Sequence, residues 1–170
     1  MKSNKNLVLL GMMGTGKSTI GYLLSKKMNL EFYDIDRIIE KVENSKIREI
    51  FKYKGEDYFR KIEEKICLKI LKLNNKIISL GGGSFLNRKI RKQVQINHLS
   101  FWLNWNASTI IKRITKNKKR PLLISLSEND INKLIINRKR IYGKAKFKIN
   151  CENLSKNEIV NNIIDLYERK

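Results

Sequence analysis

LVLLGMMGTGKSTIGYLLSKKM, Leu7 to Met28, runs from an apolar stretch through a glycine-rich turn into an amphipathic segment. Gly11, Gly16, Lys17 and Ser18 satisfy G-x-x-x-x-G-K-[ST], the signature of a loop that cradles phosphate. Leu7 to Leu10 are continuously apolar, as in a strand buried on both faces, while Ile20, Leu23, Leu24 and Met28 recur at helical spacing. The motif therefore stands between a strand and a helix, the context its chemistry requires. Its glycines let successive N–H groups turn into one concavity, and the N-terminus of the following helix adds a positive dipole end. A nucleoside triphosphate fits there, with Lys17 on the β- and γ-phosphates and the Ser18 hydroxyl on Mg²⁺. Gly14, Thr15, Gly16, Lys17, Ser18 and Thr19 are the residues expected to bind it.

Working outward, 170 residues predict one domain. No apolar run reaches membrane-spanning length and no secretory leader pattern is visible, so a soluble cytoplasmic protein is expected. Cys67 and Cys151 stand apart without metal-ligand spacing and are read as buried thiols. The formal charge of +21 suggests a nucleic-acid partner, but 27 Lys, 25 Ile and 19 Asn are spread over every segment. All three residue types have A/T-rich codons, and no basic stripe with interleaved aromatics appears, so no specific nucleic-acid partner is expected.

A second strand is predicted at 30–33, ending in Asp34-Ile35-Asp36; strand alternation would send both carboxylates to one side, beside the phosphate loop. Mg²⁺ needs oxygen ligands, and an attacking hydroxyl needs a carboxylate. Asn44 closes a helix, Ser45 caps the next, and Gly55 punctuates before a stripe of Phe59, Ile62, Ile66 and Ile70. Arg60 and Glu63 interrupt that stripe as an i, i+3 ion pair, exposed by default. A third strand (76–80) ends in Gly81-Gly82-Gly83, whose best explanation is a backbone passing close to a ligand. A fourth (99–103) leads to a helix capped by Asn106, then to the basic loop 116–123, which could close as a lid over ATP and bring an arginine to the transferring phosphoryl group. Arg138 lies on the apolar stripe of the following helix, either snorkelling or pointing into a site. A fifth strand (147–151) and a final helix opened by a Ser155/Glu158 capping box complete the chain. Five strands alternating with helices predict a three-layer α/β sandwich with a mostly parallel sheet.

Together these segments resemble the shikimate kinase family from about Leu7 to Tyr167. The phosphate loop is common to many families. The specific likeness is the ordered set D-I-D at 34–36, I-x-x-I-F at 47–51, G-E-x-x-F-R-x-x-E at 55–63, G-G-G at 81–83, R-P-L-L at 120–123 and R-x-x-x-Y at 138–142. Arg140 and Lys144 stand where the family commonly has Pro and Glu. The resemblance implies a P-loop kinase with strand order 2-3-1-4-5 that phosphorylates the shikimate 3-hydroxyl with ATP and Mg²⁺, in aromatic amino-acid biosynthesis. It implies one kinase domain over 1–170, with a substrate-binding insertion at about 37–62 and a lid at about 115–127. Asp36 would hold the acceptor hydroxyl, and Asp34 would support Mg²⁺ through water. Arg60, Arg138 and Gly81 to Gly83 would bind shikimate, Arg113 would lie against adenine, and Arg120 would act from the lid. A cytoplasmic monomer is expected, with no membrane partner. Kinases acting on gluconate or a nucleoside monophosphate, and a nucleotide-switched nucleic-acid binder, are the competing readings.

Overall fold

Strand β1 (Leu7–Leu10) is buried over its whole length because it is the middle strand of five. In the computed structural model, which describes residues 4–116 and 127–169, the sheet runs β2-β3-β1-β4-β5 and every pairing is parallel. The other strands are β2 (Phe32–Asp34), β3 (Ile77–Ser79), β4 (Leu99–Asn104) and β5 (Phe147–Asn150). Leu9 is in register with Ser79 on one side and Phe101 on the other. All three residues of β3 are also buried, which is why the inner strands read as unbroken apolar runs: helices cover both faces. The expected class and strand order are both present.

Helix α1 (Lys17–Met28) packs on α7 (Lys156–Glu168), α3 (Ile47–Ile70) on α4 (Arg88–Asn97), and α5 (Ala107–Lys116) on α6 (Glu128–Tyr142). Asn29 and Asn44 end α1 and α2 (Ile35–Glu43) with φ of 52° and 46°, a conformation asparagine tolerates better than other side chains. The Ser155/Glu158 box opens α7 as predicted. Ser45, expected to cap α3, lies one residue before the cap; its hydroxyl donates to Glu49, which also accepts from the Lys46 N–H.

Two features of the middle of the chain place the site. Helix α3 is two helices meeting at Gly55, whose φ of 82° and ψ of 170° belong to glycine alone. Beyond that kink the most buried stripe is Phe59, Glu63 and Cys67, one turn apart, with Ile62, Ile66 and Ile70 packed beside it. A carboxylate thus occupies the centre of an apolar face. The second feature is the shortness of β2: α2 begins at Ile35, immediately after Asp34. Strand alternation therefore does not govern the Asp pair, and Asp36 projects from a helix.

Candidate active site

Where β1 ends, the chain passes through Gly11, Gly14 and Gly16 with φ of 143°, 80° and 89° and enters α1 with no side-chain cap. The first N–H groups of α1 are thus left for an anion. Lys17 is buried and its ammonium donates to the Gly11 and Met12 carbonyls, at 2.8 and 2.9 Å. Thr15 donates to Met12 O at 2.7 Å, and its own carbonyl accepts from the Trp105 indole at 3.1 Å. Ser18 and Thr19 face solvent. Trp105 is buried, and it does more than pack: the Arg113 guanidinium stacks 3.7 Å from its ring centre. A methyl group at Gly14 would lie 3.7 Å from the Arg113 Cβ, so Arg113 stands at the rim of the phosphate loop.

Asp34 caps α2, its Oδ1 accepting from the Arg37 N–H at 3.4 Å, while its buried Oδ2 has no hydrogen-bond partner among the described residues. Asp36, in the first turn of α2, comes against the triple glycine. A methyl group at Gly81 would lie 2.7 Å from Asp36 Oδ1, 2.7 Å from Glu63 Oε1 and 2.9 Å from Ser84 Oγ. At Gly83 it would lie 2.5 Å from Arg60 Nη1, and at Gly82 3.2 Å from the Met13 N. Each glycine is therefore pressed by a different part of the site, which accounts for three in a row.

Arg60 and Glu63 are not an exposed surface pair. Arg60 Nη1 donates to Glu63 Oε2 at 2.7 Å, its Nε and Nη2 donate to Glu56 at 3.1 and 3.0 Å, and the Glu63 side chain is 3% exposed. Burial pulls the Arg60 guanidinium downward, but Glu63 and Glu56 outweigh it and hold its pKa above the ordinary value. Three of its five N–H groups are engaged by these contacts, leaving two for an incoming anion. Across the site Arg138 is buried. Its Nη1 donates to Gly82 O at 3.2 Å and touches the Met12 sulfur at 3.6 Å, and its Nε has no partner among the described residues. Tyr142, one turn on, donates its hydroxyl to the same carbonyl, and burial pushes its pKa up to about 12, so it stays a neutral donor.

The structure thus brings together Lys17, Asp36, Arg60, Gly81, Gly82, Gly83 and Arg138, with Asp34, Ser18 and Arg113 around the phosphate loop. Arg120 and all but the ends of the expected lid lie outside the described residues. Glu63, Ser84 and Tyr142 join the cluster although none is given a site role by its sequence pattern; Glu63 reads there as half of an exposed ion pair. Two of them lay inside quoted motifs, but only packing reveals that they are buried. Both cysteines are buried and free; burial drives both thiols upward, Cys151 to about 12, leaving them inert. His98 is buried beside the Leu71 backbone and serves structure.

The family model described as Shikimate kinase matches residues 13–168. The chain belongs to the shikimate kinase family. A shikimate kinase of Bacillus subtilis is 41% identical over 169 residues, covering 95% of this chain and 88% of that protein. One from Persephonella marina is 38% identical over 160 residues, with 94% and 97% covered. The crystal structure of shikimate kinase from Aquifex aeolicus superposes with a TM-score of 0.83 at 32% identity, covering 96% of both chains. The shikimate kinase match thus spans the phosphate loop, the kinked α3, the triple glycine and α6 alike.

Proposed function

We propose that this chain transfers the γ-phosphoryl group of ATP to the 3-hydroxyl of shikimate, giving shikimate 3-phosphate and ADP in aromatic amino-acid biosynthesis. The observation that carries the reading is the seating of the triple glycine. Gly82 touches the phosphate loop at Met13, while Gly81 and Gly83 touch Asp36 and Arg60, and Arg138 donates to Gly82 O. A phosphate donor and a small carboxylate-bearing acceptor bound on either side of this backbone would meet.

Arg60 and Arg138 grip the substrate carboxylate, a role for which a guanidinium fork is suited and an ammonium is not. Glycine N–H groups and Asp36 orient the ring so that the 3-hydroxyl faces the γ-phosphorus. Asp36 takes the hydroxyl proton as the new O–P bond forms and the bond to the β-phosphate oxygen breaks. Lys17 leaves the Gly11 and Met12 carbonyls for the β- and γ-phosphates, and Arg113 lies against the adenine.

Mg²⁺ fits the residues present. It binds through one or two protein oxygens together with waters and phosphates, and the exposed Ser18 hydroxyl and the unpartnered Asp34 Oδ2 match that demand. When bound it neutralises charge on the β- and γ-phosphates. The reading includes one kinase domain with its insertion at about 37–62, acting as a cytoplasmic monomer; among the described residues no helix is long and apolar enough to cross a membrane. Coupled ADP release from ATP with shikimate, gluconate and nucleoside monophosphates tests the assignment. Turnover with shikimate is expected; turnover only with another acceptor overturns it.

A further inference from the structure

Glu63 is a carboxylate in the middle of an apolar helical stripe, and what keeps it in place is Ser84. The Ser84 side chain is fully buried, and its Oγ donates to Glu63 Oε1 at 2.7 Å while Arg60 takes the other oxygen at 2.7 Å. The Cys67 thiol, one turn beyond Glu63, is buried beside the same hydroxyl. Ser84 opens the single 3-10 turn that follows the triple glycine, with its N–H on Gly81 O at 3.1 Å. Its position is therefore tied to the strand end that carries the site.

Geometry gives this hydroxyl a task beyond filling space. Asp36 Oδ1 and Glu63 Oε1 each lie 2.7 Å from one point above Gly81, so two carboxylate oxygens are at most twice that distance apart. Without a donor on Oε1, Glu63 would have a buried oxygen facing a second carboxylate, a costly arrangement. Its relief is to rotate toward Arg60, which would pull the guanidinium from the position set by Glu56 and Glu63 together.

We propose that Ser84 is a positioning residue for the phosphoryl-transfer reaction, acting through Glu63 to hold Arg60 in the orientation that receives the substrate carboxylate. This rests on the function proposed above. Its effect falls on the acceptor side, because no polar contact of Ser84 reaches the phosphate loop.

Steady-state kinetics of Ser84→Ala and Ser84→Cys, varying shikimate and MgATP separately, test the proposal. Ser84→Ala is expected to raise the shikimate KM about 5- to 30-fold, less than the full worth of a hydrogen bond to a charged group because the effect reaches the substrate only through Glu63 and Arg60. The MgATP KM should stay within about twofold, and the weak thiol donor of Ser84→Cys should give an intermediate value. In a Glu63→Gln background, removing Ser84 should change the shikimate KM by less than in the wild type, because the two changes act on one unit. A shikimate KM at the wild-type value, a parallel rise in both KM values, or full multiplicativity with Glu63→Gln would overturn the role of Ser84. If Ser84→Ala does not fold, Ser84→Cys and its double variant decide by the same criteria. Wild-type protein without shikimate turnover would sink the parent reading instead, so the two failures are distinguishable.

Discussion

Replacing Arg60 by lysine removes a planar fork from a place where two carboxylates have fixed its orientation. Glu56 holds Nε and Nη2 at 3.1 and 3.0 Å, and Glu63 holds Nη1 at 2.7 Å. These contacts use three of its five N–H groups and leave two for a third carboxylate. A lysine ammonium reaching the same region concentrates its donors at one point and cannot engage Glu56, Glu63 and a third carboxylate with comparable geometry. It retains charge, so the loss is confined to one or two charge-assisted hydrogen bonds partly replaced by a point charge. That amounts to about 1–3 kcal/mol, or about 5- to 150-fold in substrate affinity. Stability should change less, since Ser84 still holds Glu63 and either glutamate can pair with the ammonium. The assay is initial-rate ADP release at saturating MgATP over a range of shikimate, paired with calorimetric shikimate binding, because KM equals the dissociation constant only when chemistry is slow. A shikimate KM and affinity at wild-type values would refute the reasoning and move the carboxylate contact elsewhere.

Asp36→Asn should lower kcat by about 10²- to 10⁴-fold, the usual worth of a general base, with MgATP binding within a few-fold; unchanged turnover would remove Asp36 from proton transfer. Gly83→Ala puts a methyl group 2.5 Å from Arg60 Nη1 and 2.9 Å from its Cζ. The far end of a flexible side chain can yield, so the protein should fold while the shikimate KM rises about tenfold through the displaced guanidinium. An unchanged KM would mean that the guanidinium is not needed where it lies. His98 is held below its ordinary pKa by burial; the unfolded chain takes up the proton first, so this residue's contribution is present above the unfolded pKa and is lost as pH falls through and below it. The melting temperature should accordingly drop less from pH 7.5 to 5.5 in His98→Gln than in the wild type; equal drops would count against the assignment.

The architecture was legible because it is written in periodicity. Leu7 to Leu10, Ile77 to Ile78 and Leu99 to Leu103 are short, mostly apolar runs with helical patterns between them, and the asparagine at 44 closed a helix where expected. Asp34-Ile35-Asp36 was harder. Its residues suit both a strand end and a helix start, and the helix begins at Ile35, before alternation could carry through Asp36. Glu63 was misjudged for a deeper reason. At i, i+3 from an arginine, a glutamate usually makes a solvent-facing pair; only the kink at Gly55 and the turn at Ser84 turn it inward. Arg138 was left open between surface and site, and the Gly82 carbonyl from a segment 56 positions away resolves its direction. Contacts of that range leave no periodic trace.

The choice of arginine at these places can itself be argued from the bulk of the chain. With 27 lysines against 10 arginines, a basic position filled without constraint would be lysine in nearly three cases of four. Yet Arg60, Arg113 and Arg138 each make a contact that depends on a planar guanidinium: two flanking carboxylates, an indole face at 3.7 Å, and a shared carbonyl with the Nε left unpartnered among the described residues. Lys17, by contrast, caps two carbonyls at once, which a compact ammonium does well. Lysine stands where phosphate charge is to be met and arginine where shape is to be read. Gly82, touching Met13 on one side and Arg138 on the other, is where the two kinds of recognition meet, so a side chain there would disturb donor and acceptor together, unlike one at Gly83.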